Sequence, residues 1–157
     1  MSKTRLSTLV ERLEERRATL VAAESCTGGL FSDTITDIPG ASAFYKGSVV
    51  AYTVEIKRDV LNVGEDLIRE HGPVSKEVTQ EMARQVSEVL DADFSVAITG
   101  NAGPTADQGT LGEVFISAHA RSGDTLVRKF NFQGNRWDVK QQAVDKAVDL
   151  LLELMGG

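Results

Sequence analysis

Residues 19–33 read TLVAAESCTGGLFSD, and the rest of the chain organises itself around them. Thr19 to Ala23 is a short apolar run of strand length. Thr27 or Gly28 then opens a periodic segment that continues to about Asp37, where Pro39 and Gly40 stop it. A strand that feeds through a glycine turn into a helix is the unit from which layered α/β domains are built. Between the two elements stand Glu24, Ser25, Cys26 and Thr27: a carboxylate, a hydroxyl, a thiol and a second hydroxyl in one corner. In α/β sheets ligands gather outside the carboxyl ends of the strands. Gly28 and Gly29 let backbone approach a ligand, and a helix behind them offers free N–H groups and a positive dipole end. The corner therefore reads in two ways. It is a Ser/Thr helix cap followed by close helix–sheet packing, or it is a cradle for a phosphate, or for an oxyanion while Ser25 attacks a carbonyl. No Gly-Lys-Ser/Thr follows, so the turn is not a Walker loop.

Working outward, Leu6, Leu9, Val10 and Leu13 recur at helical spacing and predict an amphipathic helix before the strand. Phe44 to Tyr52, rich in valine and aromatics, reads as a second strand, and Glu55 to Leu61 as a short helix. His71-Gly72-Pro73 is a breaker. Ser75 then caps a helix to about Leu90 that carries Val78, Met82, Val86 and Val89 on one face. Phe94 to Thr99 is a continuous apolar strand, and Gly100 to Gly112 is a glycine-rich loop. Glu113 to Ala120 and Thr125 to Phe132 alternate around Ser122-Gly123-Asp124 as an antiparallel hairpin. A helix from about Arg136 to Met155 closes the chain. Early alternation of helix and strand with a late hairpin predicts an α/β fold with a mixed, mostly parallel sheet. No linker, repeat or low-complexity tract interrupts the 157 residues, which read as one domain over 1–157.

The formal charge of −6 argues against a nucleic-acid or anionic-membrane surface, which requires clustered Lys and Arg. The single Cys26 fits a reducing compartment. No run approaches the roughly 20 apolar residues of a membrane span. The opening MSKTRLSTLVERLEERRATL lacks the apolar core of a signal peptide, so the expected location is cytoplasmic.

An attacking Ser25 needs a base. Only two histidines are available. His71 precedes Gly-Pro at a helix end, where a cation suits the dipole, and His119 shares a strand face with Phe115 and Ser117. Both read as structural, and two His with one Cys do not make a zinc site. The run AYTVEIK, residues 51–57, supplies Tyr52 at a strand end and Lys57 about a turn into the next helix. A lysine acts as base only where burial or a neighbouring cation lowers its pKa; otherwise Lys57 is a surface residue. In AITGNAGP, residues 97–104, Thr99 ends a third strand before Gly100, Gly103 and Pro104. Three strands thus end in polar groups at one rim. Cys26 reads as a small buried hydrophobe rather than a nucleophile, and Glu24 as a group that orients a neighbour or caps N–H groups. Arg136 stands at the N-terminal end of the last helix, where a cation opposes the dipole, and a bound phosphate or carboxylate would rationalise it.

AESCTGG, the Tyr52/Lys57 pair, HGPVS, ITGNAGP, LGEVFIS and F-x-G-x-R at 132–136 resemble, in that order, the C-terminal domain of the CinA (competence/damage-inducible protein) family, from about Leu6 to Leu154. Stand-alone members are nicotinamide-nucleotide amidases. The resemblance implies a three-layer α/β/α sandwich that converts nicotinamide mononucleotide to nicotinic acid mononucleotide and ammonia, with no cofactor or metal, usually as a homodimer. It sets the serine nucleophile on Ser25, the tyrosine on Tyr52, the lysine on Lys57, the strand-end threonine on Thr99 and the arginine on Arg136. Joined to the reading of the residues, the expected catalytic set is Ser25, Tyr52 and Lys57. The expected substrate-binding set is Thr27, Gly28, Gly29, Thr99, Gly100 and Arg136. Two places depart from the family pattern. Val54 stands where an asparagine is usual, and Gly103-Pro104-Thr105-Ala106-Asp107-Gln108-Gly109 lacks the usual double glycine. An aliphatic side chain neither donates nor accepts a hydrogen bond. A second expectation therefore stands beside the first: a nucleotide-binding module of the same fold with little or no amidase activity, or an amidase with an altered substrate.

Overall fold

The computed structural model describes residues 3–103 and 111–156. Strand β1 (Leu20–Glu24) lies inside the sheet, and every one of its residues is buried. Parallel strands β2 (Tyr45–Val50) and β3 (Phe94–Gly100) flank it, and the antiparallel pair β4 (Glu113–Ala120) and β5 (Thr125–Asn131) extends the sheet beyond β3. The order is β2-β1-β3-β4-β5, with Glu24 in register with Val50 on one side and Ile98 on the other. A strand covered on both faces has no polar side to turn outward, which explains the unbroken apolar run at 20–23.

Helices cover both faces. Leu20 and Ala22 point into a core shared with α1 (Lys3–Arg16), α2 (Leu30–Thr36) and α6 (Arg136–Leu154), through residues such as Leu9, Phe31 and Leu151. Val21 and Ala23 point the other way, toward α3 (Val54–Asp59), α4 (Glu65–His71) and α5 (Lys76–Val89), against Leu61, Ile68 and Met82. The mixed five-stranded sheet flanked by helices is the expected architecture. No helix among the described residues is long and apolar enough to cross a membrane.

Three details differ from the sequence-based expectation. Helix α2 starts at Leu30 rather than at Thr27 or Gly28, because Gly28 and Gly29 hold φ values of 60° and 108°, outside the helical region. Segment 65–71 is a helix of its own, α4, for which no range was expected. Strand β3 includes Gly100, which the reading put in a loop. A Cβ there would lie 2.5 Å from the Glu113 carbonyl oxygen, so only glycine lets β3 and β4 close at this point. The unusual run from Pro104 to Gly109 lies outside the described residues.

Candidate active site

The chain leaves β1 toward β2 on one side and leaves β3 toward β4 on the other, so a crevice opens between the carboxyl ends of these two neighbouring parallel strands. The alternation of β1 decides what enters that crevice. Ser25 extends β1 by one rung, its N–H donating to the Ile98 carbonyl at 2.9 Å. By parity its side chain follows Val21 and Ala23 toward α3. Glu24 follows Leu20 and Ala22 toward α2. One residue step thus separates a hydroxyl and a carboxylate onto opposite faces of the sheet.

On the α3 side, Thr53 caps the helix through its side chain, accepting from the Ile56 N–H at 3.4 Å. This brings Lys57 inward. Its Nζ donates to Ser25 Oγ at 3.2 Å, and the residue is only 3% exposed. Burial pushes the Lys57 pKa below the ordinary lysine range, opposed only weakly by the neighbouring Cys26 thiol. No carboxylate among the described residues forms an ion pair with it that would restore the charge. A buried amine without a counter-ion loses its proton more readily, and in that state it can accept one from Ser25. Cys26 is the wrong nucleophile here: burial drives its thiol up to about 12, and it stays protonated.

On the α2 side, the fully buried Glu24 carboxylate accepts four hydrogen bonds. One oxygen takes the Thr27 hydroxyl and the Phe31 N–H, both at 2.8 Å; the other takes the Ser32 N–H at 3.1 Å and the Ser32 hydroxyl at 2.8 Å. Ser32 Oγ also lies 2.7 Å from Tyr45 OH and from Ser48 Oγ. The amides at the start of α2 are therefore closed by the chain's own carboxylate, which corrects the expectation that they offer an open anion cradle. Thr27 and Gly28 share in this closure. The Thr27 hydroxyl belongs to Glu24, and the Gly28 N–H donates to the Ser25 carbonyl at 3.0 Å. Substituting Glu24 by alanine leaves these donors without an acceptor in a dry interior. The expected cost is about 3 kcal/mol of stability, read as a lowered midpoint in urea unfolding, with Glu24→Gln losing less.

A cleft of about 420 Å³ opens above Ser25 and Lys57. Ser25 and Cys26 form one wall, Tyr52, Val54 and Lys57 a second, Pro73 and Val74 a third; Gly100 and Asn101 close it from the end of β3. Arg136 reaches it from the first turn of α6 and donates to the Gly103 carbonyl and, at 3.1 Å, to Tyr52 OH. Tyr52, 57% exposed, thus stands at the mouth, tied to α6 rather than to Ser25. Thr99 is fully buried, its hydroxyl 3.4 Å from the Pro73 carbonyl, and it braces the floor without lining the cleft. Gly29 does not line it either. Asn101, absent from the expected set, does; its place in the ITGNAGP stretch, two residues past the expected strand end, was a signal that could have found it. His71 and His119 are remote from this cleft: His71 ends α4 with Nδ1 3.7 Å from Glu77, and His119 Nδ1 lies 2.8 Å from Thr125 Oγ1. Among the described residues no group of three His, Cys, Asp or Glu is poised to hold a metal.

The family model for the CinA C-terminal domain matches residues 3–155. A crystal structure of a competence-damaged protein (CinA) superfamily protein from Klebsiella pneumoniae superposes with a TM-score of 0.92 at 32% identity, covering 97% of this chain and 96% of that one. The competence/damage inducible protein CihA from Agrobacterium tumefaciens gives a TM-score of 0.92 at 30% identity, over 96% and 93%. A CinA-like protein of Thermosipho melanesiensis is 45% identical over 136 residues, which are 85% of this chain and 34% of that protein. One from Thermotoga neapolitana is 39% identical over 145 residues, 91% and 35% of the two chains. The chain thus spans about a third of the length of these curated relatives.

Proposed function

Because the chain belongs to the CinA C-terminal domain family, we propose that its cleft is the active site of an amidohydrolase that converts nicotinamide mononucleotide to nicotinic acid mononucleotide and ammonia. The observation that carries this reading is the buried Lys57 amine 3.2 Å from the Ser25 hydroxyl, at the carboxyl end of β1. Ser25 Oγ attacks the carboxamide carbon while its proton passes to neutral Lys57. The N–H groups of Cys26 and Thr27, just past the nucleophile, hold the oxyanion. On collapse the C–N bond breaks, and the Lys57 ammonium returns its proton to the departing nitrogen, which leaves as ammonia. Water then attacks the acyl-enzyme ester while Lys57 takes its proton; on collapse the C–Oγ bond breaks, the Lys57 ammonium returns that proton to Ser25 Oγ, and the carboxylic acid departs from the regenerated serine. Tyr52 shapes the mouth through its bond to Arg136. This reading implies a cytoplasmic homodimer with a small nucleotide substrate and neither nucleic acid nor membrane as partner.

A second reading has its own observation. Val54 lines the cleft beside Lys57 and offers an aliphatic surface where a polar ligand group would seek a partner. It favours a nucleotide-binding module, or an amidase for a less polar substrate. Purified protein incubated with nicotinamide mononucleotide is expected to release ammonia and nicotinic acid mononucleotide in equal amounts. Tight calorimetric binding without ammonia selects the module, ammonia from other small amides alone selects the altered amidase, and no binding at all overturns every version.

A further inference from the structure

Three cations converge on the turn that carries Ser25, in a chain whose net charge is −6. The charged groups whose fields reach the Cys26 thiol are Lys57, Arg136 and Lys140, all positive. Two of them are engaged: Lys57 with Ser25, and Arg136 with the Gly103 carbonyl and Tyr52 OH. Lys140, one turn beyond Arg136 on α6, has no hydrogen-bond or ion-pair partner among the described residues. Its Nζ stands over the glycine turn, 3.8 Å from where a Cβ on Gly28 would sit, and a Cβ on Gly29 would meet nothing within 4 Å. The turn thus presents an open shelf beneath an ammonium that pairs with no carboxylate among the described residues. The amides of α2 cannot serve an anion here, since Glu24 occupies them.

We propose that Lys140, over the Gly28–Gly29 shelf, binds the phosphoryl group of a mononucleotide whose other end lies at Ser25, while Arg136 braces the rim. This rests on the nucleotide reading of the cleft. Three residues of chain reach at most about 10 Å, which is the scale of a mononucleotide. A lysine ammonium is a mobile point charge suited to a phosphoryl group, and among the described residues no carboxylate pairs with it.

The test uses the inactive Ser25→Ala protein, so that binding is measured without turnover. Calorimetry compares nicotinamide mononucleotide, its dephosphorylated nucleoside and inorganic phosphate, each against Lys140, Lys140→Met and Lys140→Arg. Lys140→Met is expected to weaken mononucleotide binding about tenfold, the scale of one charge-assisted hydrogen bond. The nucleoside should move less than about twofold, and Lys140→Arg should recover most of the loss, as the retained charge requires. An unchanged mononucleotide Kd overturns the proposal. So does an equal loss for nucleotide and nucleoside, which marks a structural role. Inorganic phosphate that binds as tightly as the mononucleotide also overturns it, in favour of a free-anion site. Failure of the amidase reading looks different: the parent then releases no ammonia while the Lys140-dependent preference for the phosphorylated ligand persists.

Discussion

On the proposed amidase reading, replacing Ser25 by alanine is expected to abolish ammonia release, by at least about a thousandfold, with nicotinamide mononucleotide still bound within a few-fold of the parent affinity. The size of the effect follows from the chemistry. Alanine cannot form the acyl-enzyme, and what survives is the modest acceleration due to binding and oxyanion contacts. The substitution is gentle on the fold. The bond that holds residue 25 in place runs from its backbone N–H to the Ile98 carbonyl, and alanine keeps it. The measurement is a paired one, ammonia by coupled assay and affinity by calorimetry on the same preparations. Turnover at the parent rate would remove Ser25 from the chemistry altogether.

The second large effect concerns Lys57, where activity and stability are expected to move in opposite directions. Lys57→Met removes the base and lowers turnover by about the same thousandfold. It also removes a buried amine that has no counter-ion among the described residues, so the variant is expected to melt higher at neutral pH, by about 1–2 kcal/mol or about 3–6 °C. The sign follows from proton uptake. The folded pKa lies below the unfolded value of 10.5, so between the two the unfolded chain binds more protons and stability rises with pH. Below the folded pKa the penalty is complete, and above 10.5 it has vanished. The gap in Tm between variant and parent should therefore narrow as the buffer is taken from pH 7 toward pH 10. The parent's turnover should rise as pH climbs through the same lowered pKa, because the neutral amine is the working form. A variant that melts lower than the parent at pH 7 would show that the amine is stabilised in place rather than tolerated.

Residues 19–33 carried more of the fold than any other stretch, because an apolar run ending in glycines can be a buried strand and a turn without help from distant residues. The same stretch misled in one respect. Gly28 and Gly29 both adopt positive φ, and a helix cannot include them, but a Ser/Thr beside the glycines also reads as a helix start, which set the boundary two or three residues early. Helix α4 escaped because GEDLIREH carries only Leu67 and Ile68 as apolar residues, too few to show a period. Glu24 was legible as a cap or an orienting group. That it takes four donors became visible only once α2 folded back over it, seven and eight residues on. The meeting of Ser25 with Lys57 spans 32 residues, and that of Arg136 with Tyr52 spans 84. No spacing rule reaches so far; the motif resemblance pointed to the residues, and only tertiary packing shows what each one touches.

The way residue 25 is anchored has a consequence for motion. Its amide closes the last rung between the two innermost strands, while the phenol of Tyr52 stands more than half exposed on a separate connection. Swinging the phenol aside breaks no strand pairing; shifting the backbone beneath the attacking oxygen means breaking the rung between Ser25 and Ile98. Admission of ligand and alignment for attack therefore run on separate clocks, and a looser doorway can change how fast molecules come and go without blurring the angle of attack.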